Sequence, residues 1–169
     1  MKKLIIAALF GLPMTISAQE MKVETKGATA EFYFVEKDTR GTLDNIEAYI
    51  NIDQNDLLKS TIGGSVDVST LNTKNKGRDE HLLSADFFDV EKYPKMRFES
   101  NKIVQVGDNY KAHGNLTIRD ITKEVIFDLS YSDAGFLFAA NINTMDFGIE
   151  VKSEPELNLV EVTILVPLQ

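Results

Sequence analysis

Eight separate stretches of this chain alternate apolar and polar residues with a period of two, and that pattern leaves few folds open. Side chains along a strand point alternately to its two faces, so each stretch carries one apolar face and one polar face. Phe32 and Phe34 share a face in AEFYFVEK, and Ile46, Ala48, Ile50 and Ile52 share one in DNIEAYINID. Val66 and Val68 do so in SVDVST, and Met96 and Phe98 in KMRFES. The series continues with Tyr110, Ala112, Leu116 and Ile118, then with Val125, Phe127, Leu129 and Tyr131. It ends with Phe136, Phe138, Ala140 and Ile142, and with Val160, Val162, Ile164 and Val166. Turn formers such as Gly63-Gly64, Gly107-Asp108-Asn109 and Asp133-Ala134-Gly135 stand between many of these stretches, so consecutive strands are expected to be antiparallel neighbours. A meander of about eight amphipathic strands does best by closing on itself, because closure removes unpaired edges. The predicted class is therefore all-β, an antiparallel up-and-down β-barrel, with a two-sheet sandwich as the alternative of equal periodicity.

One segment breaks the alternation. Between the strands around Val66 and Met96 runs LNTKNKGRDEHLLSADFF, which reads as a short helical crossover near residues 75–88 covering one mouth of the barrel. Asp79 and Glu80 fall in its first turn, where carboxylates complement the positive end of the helix dipole. Leu83 and Phe87, four apart, can share a face beside Leu82. Pro94 suits the first position of the next strand, with Tyr93 held extended before it.

The chain opens MKKLIIAALFGLPMTISAQE: two lysines, an apolar run over residues 4–12, then the small residues Ser17 and Ala18. This is the layout of a secretory signal peptide over residues 1–18, cut after Ala18, and the run is too short for a good membrane span. Residues 19–169 are then one exported, periplasmic domain with no stable membrane insertion. Without Lys2 and Lys3 the chain keeps 16 basic against 26 acidic residues, and the formal charge moves from −8 to −10. Such acidity repels phosphate backbones, which argues against nucleic acid as a partner. There is no cysteine, so neither a disulfide nor a lipidated N-terminal cysteine is available.

GRDEHLLSADFFDVEKYPKMRFES, residues 77–100, resembles the signature of the YceI-like family of exported lipid-binding proteins. GNLTIRDITKEV (114–125) is similar to that family's Gly-x-Leu-Thr-Ile-x-Gly-x-Thr-Lys strand pair, MDFGI (145–149) to its late Asp-Phe-Gly-Ile motif, and SVDVSTLNT (65–73) falls at its strand leading to the helix. Asp120 stands where the family most often has glycine, and the first strand lacks the serine- and histidine-rich opening of many members. The resemblance implies a lipocalin-like barrel holding a long apolar molecule of the polyisoprenoid type in the periplasm.

An apolar inward face serves a packed core as well as a pocket, so alternation alone leaves both open. With the resemblance, Phe32, Phe34, Ile46, Ile50, Met96, Phe98, Phe127, Phe136 and Phe138 are the expected lining of an apolar-tail site, and Arg78 is a candidate headgroup contact. Arg78, Asp79 and His81 form a tempting ionic cluster, but neighbouring charges on a short helix more often tie it to adjacent strands. His81 and His113 lack metal-ligand spacing, and neither a Gly-x-Ser-x-Gly elbow nor a marked carboxylate pair is present. The expectation is no enzyme, no catalytic or metal residue and no cofactor. It is instead a monomeric or weakly dimeric carrier of a polyisoprenoid or isoprenoid quinone, for storage or transport across the periplasm. The alternative is an exported interaction module whose filled barrel binds another envelope protein.

Overall fold

The computed structural model describes residues 20, 21, 25, 27–51, 53, 56 and 59–167. The leader read at residues 1–18, and Ile52, lie outside the described residues. The strands are β1 (Glu20–Met21), β2 (Thr29–Phe34), β3 (Thr39–Leu43), β4 (Glu47–Asn51), β5 (Thr61–Asp67), β6 (Lys95–Val106), β7 (Asn109–Ile118), β8 (Ile121–Ser132), β9 (Gly135–Asn143) and β10 (Leu159–Val166). One α-helix, α1 (Lys76–Leu83), lies between β5 and β6.

All ten strands join one sheet in the order β1-β4-β5-β6-β7-β8-β9-β10-β2-β3, and every pair is antiparallel. From β2 to β10 this is the chain order wound into a ring, with β10 paired back onto β2 and the ladder interrupted between β3 and β4. Alternating directions around the ring make β3 and β4 run the same way. They are two halves of one run, bent at residues 44–46, where Asn45 adopts a φ of 56°. The first half pairs with β2 and the second with β5, so the covalent chain spans the interruption at a corner. The Thr70 hydroxyl holds that corner, accepting from the Asp44 N–H (2.7 Å) and donating to the Asp67 carbonyl (2.6 Å). Asn72 exchanges two backbone hydrogen bonds of 3.0 Å with Thr42 on the outer edge of β3, and β1 covers the outer edge of β4.

The up-and-down antiparallel barrel is thus the observed fold, with the two-residue β1 and the short β3 added to the eight expected stretches. Two local expectations are corrected. Gly63 and Gly64 do not make a turn; they lie inside β5, paired with Tyr49 and Ala48. A Cβ would come within 2.3 Å of the Tyr49 hydroxyl at Gly63 and 2.5 Å of the Glu47 carbonyl at Gly64, so the glycines permit close approach of β4 and its side chains. The helix is also shorter than the crossover. Asn75 caps it, accepting from the Arg78 N–H at 3.1 Å, and Ser84 leaves it extended, so Phe87 falls beyond the helix. The loop after it is tied back by Phe88 N–H to the Leu82 carbonyl (3.0 Å) and Val90 N–H to the Leu83 carbonyl (3.1 Å).

Asp120 departs from the family pattern without strain, because the two-residue turn between β7 and β8 places its left-handed residue at Arg119 (φ 57°) instead. In β6 the register shifts between Ser100 and Lys102, which restores the inward direction to Ile103 after Met96, Phe98 and Ser100. β8 and β9 pair only between residues 128–132 and 135–139. Beyond that point they diverge, and the 3-10 turn Thr144–Phe147 packs against β8, with Phe147 buried among Leu116, Ile118, Ile142 and Ile149.

Candidate functional site

Inward positions of the ring do not all meet. Ile50, Ile62, Ile103, Ala112, Phe127, Leu129, Phe136 and Val166 close one end of the barrel as a dense apolar cluster, with Phe138 at its border. Toward α1 the interior stays open, as a cavity of about 280 Å³. Half-buried Phe32, Met96, Phe98, Val162 and Ile164 line it, and buried Phe34, Ile46, Ile50, Phe127 and Phe138 complete its wall. Apolar side chains left half-exposed on the concave face of a barrel border empty space, since a filled core would cover them.

Local packing places the aromatic walls. Phe98 meets Phe127 edge to face, with ring centroids 4.8 Å apart at 70°, a geometry contributing about 0.5–1.5 kcal/mol beyond area burial. The Phe98 ring lies over Gly114 on β7, where a Cβ would approach it to 2.6 Å. Leu82 from α1, Leu71 and Phe88 cover the cavity on the side of the corner. Ile149 and Val151 reach it from the chain after Gly148.

Eight of the nine expected tail-site residues border this cavity: Phe32, Phe34, Ile46, Ile50, Met96, Phe98, Phe127 and Phe138. Phe136 does not. It is 2% exposed, lies opposite Val166 and Tyr131 across its two ladders, and belongs to the closed end. Arg78 borders the cavity at its polar rim, together with Lys37 and Thr39. Its Nε donates to the Thr73 hydroxyl (2.7 Å), Nη2 to the Thr73 carbonyl (2.9 Å) and Nη1 to the Thr39 hydroxyl (3.3 Å). Asp79 accepts from the Thr73 N–H at 2.9 Å and from its hydroxyl, so both helix charges tie α1 to the barrel wall. His81 is exposed; its Nε2 lies 3.8 Å from the Asp86 carboxylate and its ring meets Phe87 edge-on. Leu71, Leu82, Phe88 and Lys37 were not foreseen as lining, because they sit in turns and a crossover without alternation.

On the outer rim, Lys95 at 2.9 Å and Ser65 at 3.2 Å donate to Glu47 and hold its carboxyl below the ordinary glutamate range. A second, broader concavity of about 580 Å³ occupies the outer face where β8 and β9 diverge. Its charged border, with the Lys111–Asp128 ion pair, Lys123, Glu124, Asp146 and Glu161, makes it a solvated groove. The inner cavity is the apolar one, and ligand sites favour that character. Among the described residues no group of three or more histidine, cysteine, aspartate or glutamate side chains could hold a metal. No helix among them is long and apolar enough to cross a membrane.

The sequence pattern of the YceI-like domain matches residues 15–169. The chain belongs to the YceI-like family. A UPF0312 protein of Serratia proteamaculans is 31% identical over 136 residues, covering 75% of this chain and 71% of that protein. Among solved structures, BcnA of Burkholderia cenocepacia superimposes with a TM-score of 0.72 at 19% identity, over 85% of this chain and 97% of its own. A polyisoprenoid binding domain from Saccharophagus degradans, implicated in plant cell wall breakdown, superimposes with a TM-score of 0.57 at 11% identity, over 85% of this chain and 94% of its own. These likenesses to solved structures concern the fold, and the family's barrel is the one described above.

Proposed function

We propose that this YceI-like barrel binds the tail of a long apolar lipid, of the polyisoprenoid or isoprenoid quinone class, and carries or stores it in the periplasm after export. The observation that carries this reading is the apolar cavity of about 280 Å³ inside a barrel whose other end is packed. A volume near the lower bound of ordinary small-ligand sites, about 300–1,000 Å³, suits a narrow chain better than a fused ring system. Each methylene moved from water into such a site contributes about 0.8 kcal/mol. Fifteen carbons then gain roughly 12 kcal/mol, comparable with the 4–15 kcal/mol that association costs, so only a long tail is retained. The Saccharophagus domain described as polyisoprenoid-binding supports the same ligand class. No catalytic group or cofactor is needed for this role, and a cavity of this size gives the filled-barrel alternative no support.

The test is mass spectrometry of an organic extract from protein purified out of the periplasm without detergent, beside a control periplasmic protein. One long-chain lipid in stoichiometric amount is expected. A well-folded protein that yields none overturns the reading.

A further inference from the structure

We infer that the ligand carries an anionic head, held at the rim of the cavity by Lys37 and Arg78; this rests on the lipid-binding reading. Both cations border the largely apolar cavity, Lys37 where β2 passes into β3 and Arg78 from α1. Thr39 joins Arg78 to the main chain of Lys37, donating its hydroxyl to the Lys37 carbonyl (3.1 Å) and accepting from Arg78 Nη1 (3.3 Å). Arg78 spends three of its five N–H groups on neutral oxygens of Thr73 and Thr39. Two N–H groups remain, one on each terminal nitrogen, and the Asp79 carboxylate meets the guanidinium through the Thr73 hydroxyl that both bond rather than by a direct ion pair.

The neighbouring acids are committed elsewhere. Glu36 pairs with Lys152 (3.5 Å), Asp38 accepts from the Tyr33 hydroxyl (3.1 Å), Asp79 is bonded to Thr73 and Glu80 pairs with Lys76 (3.6 Å). Among the described residues, neither Lys37 nor Arg78 forms an ion pair. Glu31 and Arg97, one charge of each sign, also border the cavity, and they are exposed as Lys37 and Arg78 are. In a chain of net charge −8, the charged residues that border the cavity, Lys37, Arg78, Arg97 and Glu31, carry a net positive charge. The overall acidity is screened beyond about 10 Å at 0.1 M salt, so a head seated at the rim is governed by the nearby pair. Guanidinium and ammonium together suit phosphate or carboxylate, and a neutral quinone or alcohol head would leave them unanswered.

The experiment is calorimetric titration of the delipidated protein with two matched pairs, farnesyl phosphate against farnesol and palmitate against hexadecanol, all below their micellar concentrations. At least tenfold tighter binding of an anionic member is expected, with the ratio narrowing severalfold in 1 M salt and in Lys37→Gln. Lys102→Gln, on an exposed lysine of β6, is expected to leave the ratio as it is. Preference in the phosphate pair alone assigns a phosphorylated head, in the palmitate pair alone a carboxylate, and in both a general anion site. Equal affinity within both pairs, or a preference that Lys37→Gln does not alter, overturns the inference while lipid binding stands. Binding of none of the four overturns the lipid-binding reading and the inference with it.

Discussion

Replacing Val162 by phenylalanine separates an empty interior from a filled one by the sign of its effect on stability. Val162 sits in the middle of β10, opposite Phe32 on one side and Ala140 on the other, half-buried on the cavity wall. The larger side chain adds four carbon atoms. At about 0.8 kcal/mol per buried carbon the upper bound is roughly 3 kcal/mol, and imperfect fit with lost rotamer freedom brings the expected gain to about 1–2 kcal/mol. For a chain of this length that corresponds to a rise in Tm of roughly 3–6 °C, measured by circular dichroism on delipidated protein. The same variant is expected to retain less lipid through purification, because the ring occupies the tail's volume. Introducing a ring into a packed core costs about 1–3 kcal/mol instead. A fall in Tm would therefore refute the existence of usable space at this position.

Three further outcomes are expected. Phe98→Asp places a charge on the cavity wall and should abolish lipid retention, whereas Glu99→Gln, on the outer face of the same strand, should preserve it; equal retention in the extracts of both would remove Phe98 from the site. Asn158 is fully buried and its amide joins the N–H groups of Val151 and Lys152 to the carbonyls of Lys152 and Glu154, so Asn158→Ala should cost roughly 2–4 kcal/mol in urea unfolding. Glu47 has its folded pKa depressed by Lys95 and Ser65, so its stabilisation is present above the ordinary value of about 4.3 and is lost as pH falls through the lower folded value. Lys95→Gln should accordingly flatten the decline of Tm between pH 5 and pH 3, and an unchanged slope would show that the pair does not contribute.

The long strands were legible because each keeps its alternation over six residues or more, from Phe32 on β2 to Val166 on β10. β3 was not: TRGTL presents Thr39 and Gly41 inward, so its buried face carries little apolar signal until Leu43. The Gly63-Gly64 pair has the local chemistry of a turn, and only the cross-strand neighbours Tyr49 and Glu47 explain why it lies in mid-strand. Parity along a strand tells which face a residue occupies and not how deep it lies, which is why Phe136 shares its face with Phe138 yet belongs to the packed end. For the same reason the cavity could not be told from a core by alternation. Lys37 and Thr39 join the rim through the geometry of the turn between β2 and β3, and Arg78 alone among the rim residues stood in a recognisable motif.

The bend at residues 44–46 closes the barrel without a ladder. A ladder between β3 and β4 would fix the circumference, since widening the wall would break a row of backbone hydrogen bonds at once. Here β3 and β4 are joined by three residues and a threonine clasp, and the edge of β3 is held by the Asn72 bridge. Closure at the corner therefore rests on the covalent chain and a few separate hydrogen bonds, whereas neighbouring strands elsewhere in the ring are joined by ladders.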